Sequence, residues 1–210
     1  MSLKLYYHPL SSFCHKVLIA LYENATPFEP VLVDLGNEAS AAAFKKIWPI
    51  GKFPVLRDEA KGLTIPESSI IIEYLDQYYP GKTRFIPQNT ERALQTREKD
   101  RFYDLHVHVP MQKIITDRLR PTGKNDPFGV DQAKALIKTA YDMIEREMEN
   151  RLWAMADEFT LADCAAAPAL FYANIAVPFG SHKNVAAYLD RLMKRPSYAR
   201  ALKEAEPFFK

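Results

Sequence analysis

The sequence predicts an α/β domain over residues 1–80, a linker at 81–89 and an all-helical domain over 90–210. Three observations carry this division. Up to residue 80, short β-type runs alternate with helical stripes in the order β-α-β-α-β-β-α. The stretch "PGKTRFIPQN" (80–89) then gathers proline, glycine and polar residues. Beyond it, only helical periodicities occur.

The first strand is read from Leu3, Leu5 and Tyr7 alternating with Lys4, Tyr6 and His8. Cys14, Val17, Leu18 and Leu21 then recur at helical spacing. A second strand lies in "FEPVLVDL" (28–35), followed by an Ala-rich helical turn near 40–47. "FPVLRD" (53–58) and "GLTIPE" (62–67) form a hairpin pair turning at Lys61-Gly62. Ile71, Tyr74, Leu75 and Tyr78 make the last stripe of the first half, ended by Pro80-Gly81.

In the second half, helices are expected over about 90–119 and 131–153, with "RPTGKNDPFG" (120–129) as a loop. "FTLADCAAAPALFYANI" (159–175) opens on Thr160 followed three residues later by Asp163, a reciprocal N-cap pair. The small residues after it allow neighbours to approach closely, which predicts a central helix. The last helices run over about 184–204, broken near Pro196.

The bulk numbers remove several function classes. A net charge of +2 over 210 residues offers no footprint for nucleic acid or an anionic membrane. No stretch approaches the roughly 18 apolar residues of a membrane span. The start "MSLKLYYH" has no apolar run behind a basic patch, so no signal peptide is expected. Two cysteines far apart suit a reducing compartment, and a cytoplasmic protein is expected. His106 and His108 stand two residues apart, on different helix faces, with no third ligand beside them. A metal site is therefore not expected. The "H-E-x-x-H", Walker A and "G-x-G-x-x-G" patterns are absent.

Three segments remain as candidates for chemistry. In "GKFPVL" (51–56), a proline where a strand should run is either an ordinary edge-strand proline or a cis peptide at Phe53–Pro54. A cis bond there would aim the Phe53 backbone at an extended ligand. "PESSIIIEYL" (66–75) places Glu67 and Ser68 at a helix start. They serve either as plain caps or as a site for an α-amino-carboxylate, whose anion meets the helix end and whose ammonium meets Glu67. "HPLSSFCHKV" (8–17) puts Ser11 and Ser12 where strand turns into helix. Ser11 is either an N-cap or a hydroxyl donor to a bound thiolate, and no "G-x-S-x-G" elbow is present for a hydrolase nucleophile. Cys14 reads first as a buried head of the apolar stripe.

These segments, in this order and ahead of an all-helical half, resemble the glutathione transferase family, with "FTLADCAAAPAL" and "RPSYARAL" extending the match along the chain. The resemblance is to a cytosolic, serine-type, bacterial-like member. It implies a thioredoxin-like first domain that binds glutathione and a helical second domain that receives an apolar electrophile. Ser11 matches the activating serine, and Tyr7 the phenol of tyrosine-type members. Phe13, Lys52, Phe53, Pro54, Glu67 and Ser68 are then expected around glutathione. Phe53 pairs its backbone with the cysteinyl part, and Glu67 and Ser68 hold the γ-glutamyl head group. Tyr103, His106 and Met111 are the candidates for the electrophile pocket. Asp163 matches a helix-capping acid with a role in folding.

The sequence departs from the family at Trp48, where asparagine is usual, and at Ser40, where some members carry a base for the glycine carboxylate. Lys52 is the candidate for that carboxylate. The implied activity is attack of the glutathione thiolate on a small apolar electrophile, with glutathione as co-substrate and no metal. The alternatives are a glutathione-dependent isomerase or peroxidase, or a non-catalytic glutathione- or partner-binding protein. A homodimer is implied as well, with Asp100 or Asp104 reaching across its boundary.

Overall fold

A computed structural model describes residues 2–209. They divide into two compact units, one running to Ile86 and resuming at Arg195, the other spanning Pro87–Lys194.

The first unit is a thioredoxin-like sheet-and-helix body. In chain order it contains β1 (Leu3–Tyr7), α1 (Ser12–Glu23), β2 (Glu29–Leu32), α2 (Glu38–Ile47), β3 (Val55–Asp58), β4 (Leu63–Pro66) and α3 (Ser68–Tyr78). The four strands form one mixed sheet in the order β2-β1-β3-β4. β1 runs parallel to β2 and antiparallel to β3, and β3 runs antiparallel to β4. The alternation in β1 is realised, with Leu3 and Leu5 buried and Lys4 and Tyr6 half-buried. Under α2, the buried Val33, Phe44 and Val55 pack with Tyr6, Trp48 and Phe53.

Helix α1 departs from the single stripe that its periodicity suggests. Besides Cys14, Val17, Leu18 and Leu21, the structure buries Ser12, His15, Lys16, Ile19, Ala20 and Glu23. The second covered face meets α9 (Pro196–Ala205), which packs along α1. In the structure the segment from Arg195 onward groups with the first unit, whereas the sequence reading set it with the helices before it.

The reason is specific side-chain pairing. Glu23, buried at the end of α1, accepts from Arg195 Nε at 2.9 Å, Arg195 Nη2 at 2.8 Å and Ser197 Oγ at 2.8 Å. Tyr22 donates to Glu204, and the rings of His15 and Tyr198 meet edge to face.

The second unit is helical throughout apart from two isolated bridges in the 153–158 loop. α4 (Thr90–Phe102) and α5 (Val109–Arg118) flank a π-helical turn at Tyr103–His108. Pro110 explains the interruption: it has no N–H for the preceding turn, and its ring crowds the carbonyl four residues back. α6 (Pro127–Glu147) starts earlier than its periodicity suggests. Asp126 caps it by accepting from Gly129 N at 2.9 Å, and Pro127 suits the first helical position. α7 (Leu161–Ala176) is the buried centre expected of it, with every residue from Leu161 to Leu170 covered. α8 (Lys183–Lys194) completes the unit.

Asp163 organises the start of α7. Its carboxylate accepts from Thr160 N at 2.9 Å, Ala154 N at 2.8 Å and Tyr188 Oη at 2.6 Å. No helix among the described residues is long and apolar enough to cross a membrane.

Burial raises the Glu23 carboxyl, but Arg195 and Ser197 outweigh it and hold the group below its ordinary value. Its contribution to stability is therefore full above the ordinary carboxylate pKa and is lost as pH falls through the lower native one. Glu23→Ala leaves Arg195 without its partner and is expected to lower Tm by about 5 °C or more at neutral pH. Thermal melts against pH should show the gap between wild type and variant closing in acid.

Candidate glutathione site

The strand registers bring the three candidate segments to one end of the sheet. Tyr6 pairs with Val55, so the chain leaving β1 runs beside the chain entering β3. The rings of His8 and Phe53 stack there at 6.0 Å. Val55 also pairs with Pro66, which sets Glu67 and the start of α3 alongside.

At the first segment, Ser11 N donates to His8 O at 3.0 Å and closes the turn out of β1. Ser11 is extended (φ −80°, ψ 117°) and caps α1, its Oγ accepting from Cys14 N at 3.3 Å. Capping engages the oxygen as an acceptor, and the hydroxyl proton faces the Cys14 sulfur, with which a bound thiolate would compete for it. The first turn of α1 carries no acidic side chain, so its positive end is not neutralised from within the helix.

The rivals to Ser11 are placed differently. Cys14 is fully buried, and burial pushes its thiol up to about 12 against the hydrogen bond with Ser11. A neutral buried thiol is neither nucleophile nor ligand. Tyr7, half-buried at the end of β1, has its phenol pKa raised by burial and then by the charge of Glu204. A phenol shifted that way is a poorer proton donor toward a thiolate. Phe13 lies half-buried in the first turn of α1.

At the second segment, the Phe53–Pro54 peptide is cis. Lys52 is exposed in the loop before it. Trp48 ends α2 and packs with Val33, Phe44 and Val55, which gives the unusual residue a role in the core. Ser40 Oγ accepts from Asp34 N at 3.0 Å.

At the third segment, Glu67 holds φ 68° and ψ 116° at the N-cap of α3, and its side chain makes no cap bond. A non-glycine residue in that region costs about 1–3 kcal/mol, a cost that gathers at functional sites. The carboxylate is exposed, while Ser68 beside it is buried. Lys16 is a structural tie near this segment that the sequence reading missed. It is buried, and its Nζ donates to Ser69 Oγ at 2.9 Å, tying α1 to the first turn of α3. The available signal was a lysine inside an otherwise apolar stretch.

The expected pocket residues lie in the second unit and do not share one surface. Tyr103 and Met111 are buried, whereas His106 is exposed. The Tyr103 phenol, its pKa pushed well up by burial, shares a hydrogen bond with Tyr188, which in turn serves Asp163. This buried chain ties the Tyr103 phenol to the cap of α7. Asp100 and Asp104 are both buried and both paired with Arg101. Among the described residues, no group of three His, Cys, Asp or Glu side chains stands close enough to hold a metal.

The gathered end of the sheet thus offers a hydroxyl at one helix N-terminus, the strand entry at Phe53 beside the cis peptide, and a second helix N-terminus flanked by a carboxylate. These suit a thiol, an extended peptide backbone and an amino-acid head group.

Comparison with known proteins agrees along the chain. A model of the N-terminal domain of glutathione S-transferases matches residues 5–83, and one of the C-terminal domain matches 127–191. A crystal structure of a glutathione S-transferase from Methylobacillus flagellatus with GSH bound superposes with a TM-score of 0.86 at 26% identity. That match covers 95% of this chain and 98% of the other. Glutathione S-transferase GstB of Escherichia coli K12 is 26% identical over 190 residues, 87% of this chain and 88% of that protein. A stringent starvation protein A homologue from Haemophilus influenzae is 29% identical over 199 residues, 93% of this chain and 87% of that protein. With both halves matched in order, and one end of the sheet gathering the three segments, the chain belongs to the glutathione S-transferase family.

Proposed function

We propose that this protein is a glutathione transferase in which Ser11 activates the glutathione thiol for attack on a small apolar electrophile. One observation carries the reading: Ser11 caps α1 and sets its hydroxyl at a helix N-terminus beside the Phe53 strand entry. A free thiol has a pKa near 8.5, so only a few per cent is thiolate at pH 7. A hydroxyl donor and the positive helix end both favour the charged form and lower that pKa. The thiolate then attacks an electrophilic carbon, with alignment supplying much of the acceleration.

Glutathione lies in this reading along the gathered sheet edge. The backbone of Phe53 pairs with its cysteinyl part. Ser68 and the α3 N-terminus take the γ-glutamyl carboxylate, and Glu67 takes the ammonium. Exposed Lys52 is the candidate for the glycine carboxylate. On the second unit, exposed His106 is the candidate for contact with the electrophile. Two free cysteines support a reducing, cytoplasmic setting. Assays of glutathione with an aryl halide, an epoxide, an unsaturated carbonyl and a hydroperoxide separate transfer from peroxidase chemistry and identify the electrophile class.

Ser11→Ala is expected to slow conjugation about 10- to 100-fold, the range of a lost transition-state donor. Tyr7→Phe should leave the rate nearly unchanged, and steady-state kinetics reversing that order would reassign the donor. Glu67→Ala should weaken glutathione binding about tenfold or more by calorimetry. An analogue lacking the α-amino group should bind wild type and variant equally. A homodimer with two-fold symmetry is proposed for the active form. Light scattering at micromolar concentration should give twice the 24.0 kDa chain mass, and a fully active particle of single-chain mass would refute it.

A further inference from the structure

We propose that His15 is a positioning residue for Ser11, an inference that rests on the reading of Ser11 as the thiol-activating hydroxyl. His15 grips the strand-to-helix turn twice. Its backbone N–H donates to the Ser11 carbonyl at 2.9 Å, the opening bond of α1. Its ring turns back along the chain, and Nε2 lies 2.5 Å from the Pro9 carbonyl. A carbonyl only accepts, so this contact places the imidazole proton on Nε2.

The two grips bracket Ser11, one on its own carbonyl and one on the residue two positions before it. Pro9 has no N–H, so the turn cannot be tied down there by a backbone donor of its own. The Pro9 carbonyl is the handle that remains. The other bonds that shape the turn involve half-buried residues: Ser11 N to His8 O, and Leu10 N to His8 Nδ1 at 3.2 Å. The contact with Pro9 is buried, and water competes with it least.

The ring is itself held. His15 is fully buried, and Tyr198 on α9 backs it edge to face, with centroids 6.0 Å apart. Burial pushes the imidazole down to about 4, against the Pro9 contact, which favours the neutral ring. A single N–H with one acceptor then fixes the Pro9 carbonyl, the turn behind it and the aim of Ser11 Oγ. Serine has one rotatable proton, and its value to a thiolate depends on distance and angle. A misplacement of about 1 Å can cost roughly a hundredfold in rate.

A double-variant cycle tests this. Ser11→Ala, His15→Phe and the combined variant are compared by kcat/KM with glutathione and an aryl halide. The ultraviolet absorbance of the bound thiolate against pH, measured on the binary complex, gives a readout that turnover does not enter. His15→Phe keeps a ring and removes the donor; it should lower kcat/KM about tenfold and move the thiol titration toward that of free glutathione. His15→Gln, whose amide nitrogen reaches about as far as Nε2, should restore most of both. The combined variant should be no slower than Ser11→Ala alone, because residues acting as a unit do not add.

Losses that multiply independently, or an unshifted thiol titration in folded His15→Phe, overturn the role of His15 and leave that of Ser11 standing. Unchanged rate and titration in Ser11→Ala overturn both. Should His15→Phe fail to fold by circular dichroism, His15→Asn, too short to reach Pro9, takes its place in the cycle under the same criteria.

Discussion

Strand β1 is paired along both edges, parallel to β2 on one side and antiparallel to β3 on the other. A slip of one residue would send Leu3 and Leu5 to the wrong face and break both ladders together. That double constraint sets where the chain leaves β1, and hence where Pro9 and Ser11 stand relative to the entry of β3 at Phe53. β4 inherits the register through Val55 and Pro66, which places Glu67. The candidate site is therefore a consequence of hydrogen-bond register in the sheet. Each of its three segments is a strand end, and none is a free loop.

Buried polar side chains pin the helices to that frame. Lys16 joins α1 to α3 through Ser69, and Glu23 joins α1 to α9 through Arg195 and Ser197. Asp58, at the end of β3, accepts from Tyr74 at 2.7 Å and from Tyr79 at 2.5 Å. Taking such groups out of water costs several kcal/mol each unless donors and acceptors replace the solvent. An apolar helix face tolerates sliding by part of a turn, whereas a buried charge is satisfied only where its partners are. Helix α1 carries the Ser11 cap, so pairings remote from the site bear on the aim of one hydroxyl.

The terminal segment shows the same logic at long range. α9 follows the helical unit in sequence, yet it covers the second face of α1, some 180 residues away. Phe208 then reaches the edge of the His8 ring at 5.7 Å, beside the stack of His8 on Phe53. The end of the chain is thus part of the surroundings of the first motif. The thioredoxin-like unit needs this cover, because Tyr198 backs the His15 ring and the buried Glu23 finds its partners only there.

Local periodicity determined a large part of this protein by itself. Alternation in β1, helical spacing in α1 and α3, the cap at Thr160 and Asp163, and the breaks at Pro80 and Pro196 are properties of neighbours in sequence. They are legible because strand and helix periods and cap chemistry act over a few residues. The three site segments were legible for the same reason, each being a short motif at an element boundary.

What tertiary structure decided was burial and partnership. Ser11, Tyr7 and Cys14 stand within eight residues, and the sequence left all three open. Coverage of α1 from both sides made Cys14 an inert core thiol, while Glu204 and burial weakened Tyr7 as a donor. Tyr103 and Met111 read as pocket residues by position, and the fold buries both. His15 and Lys16 follow Cys14 directly in sequence, and nothing in their neighbours names their partners. Their acceptors, a carbonyl reached by folding the ring back and a hydroxyl on another helix, exist only once the chain has packed.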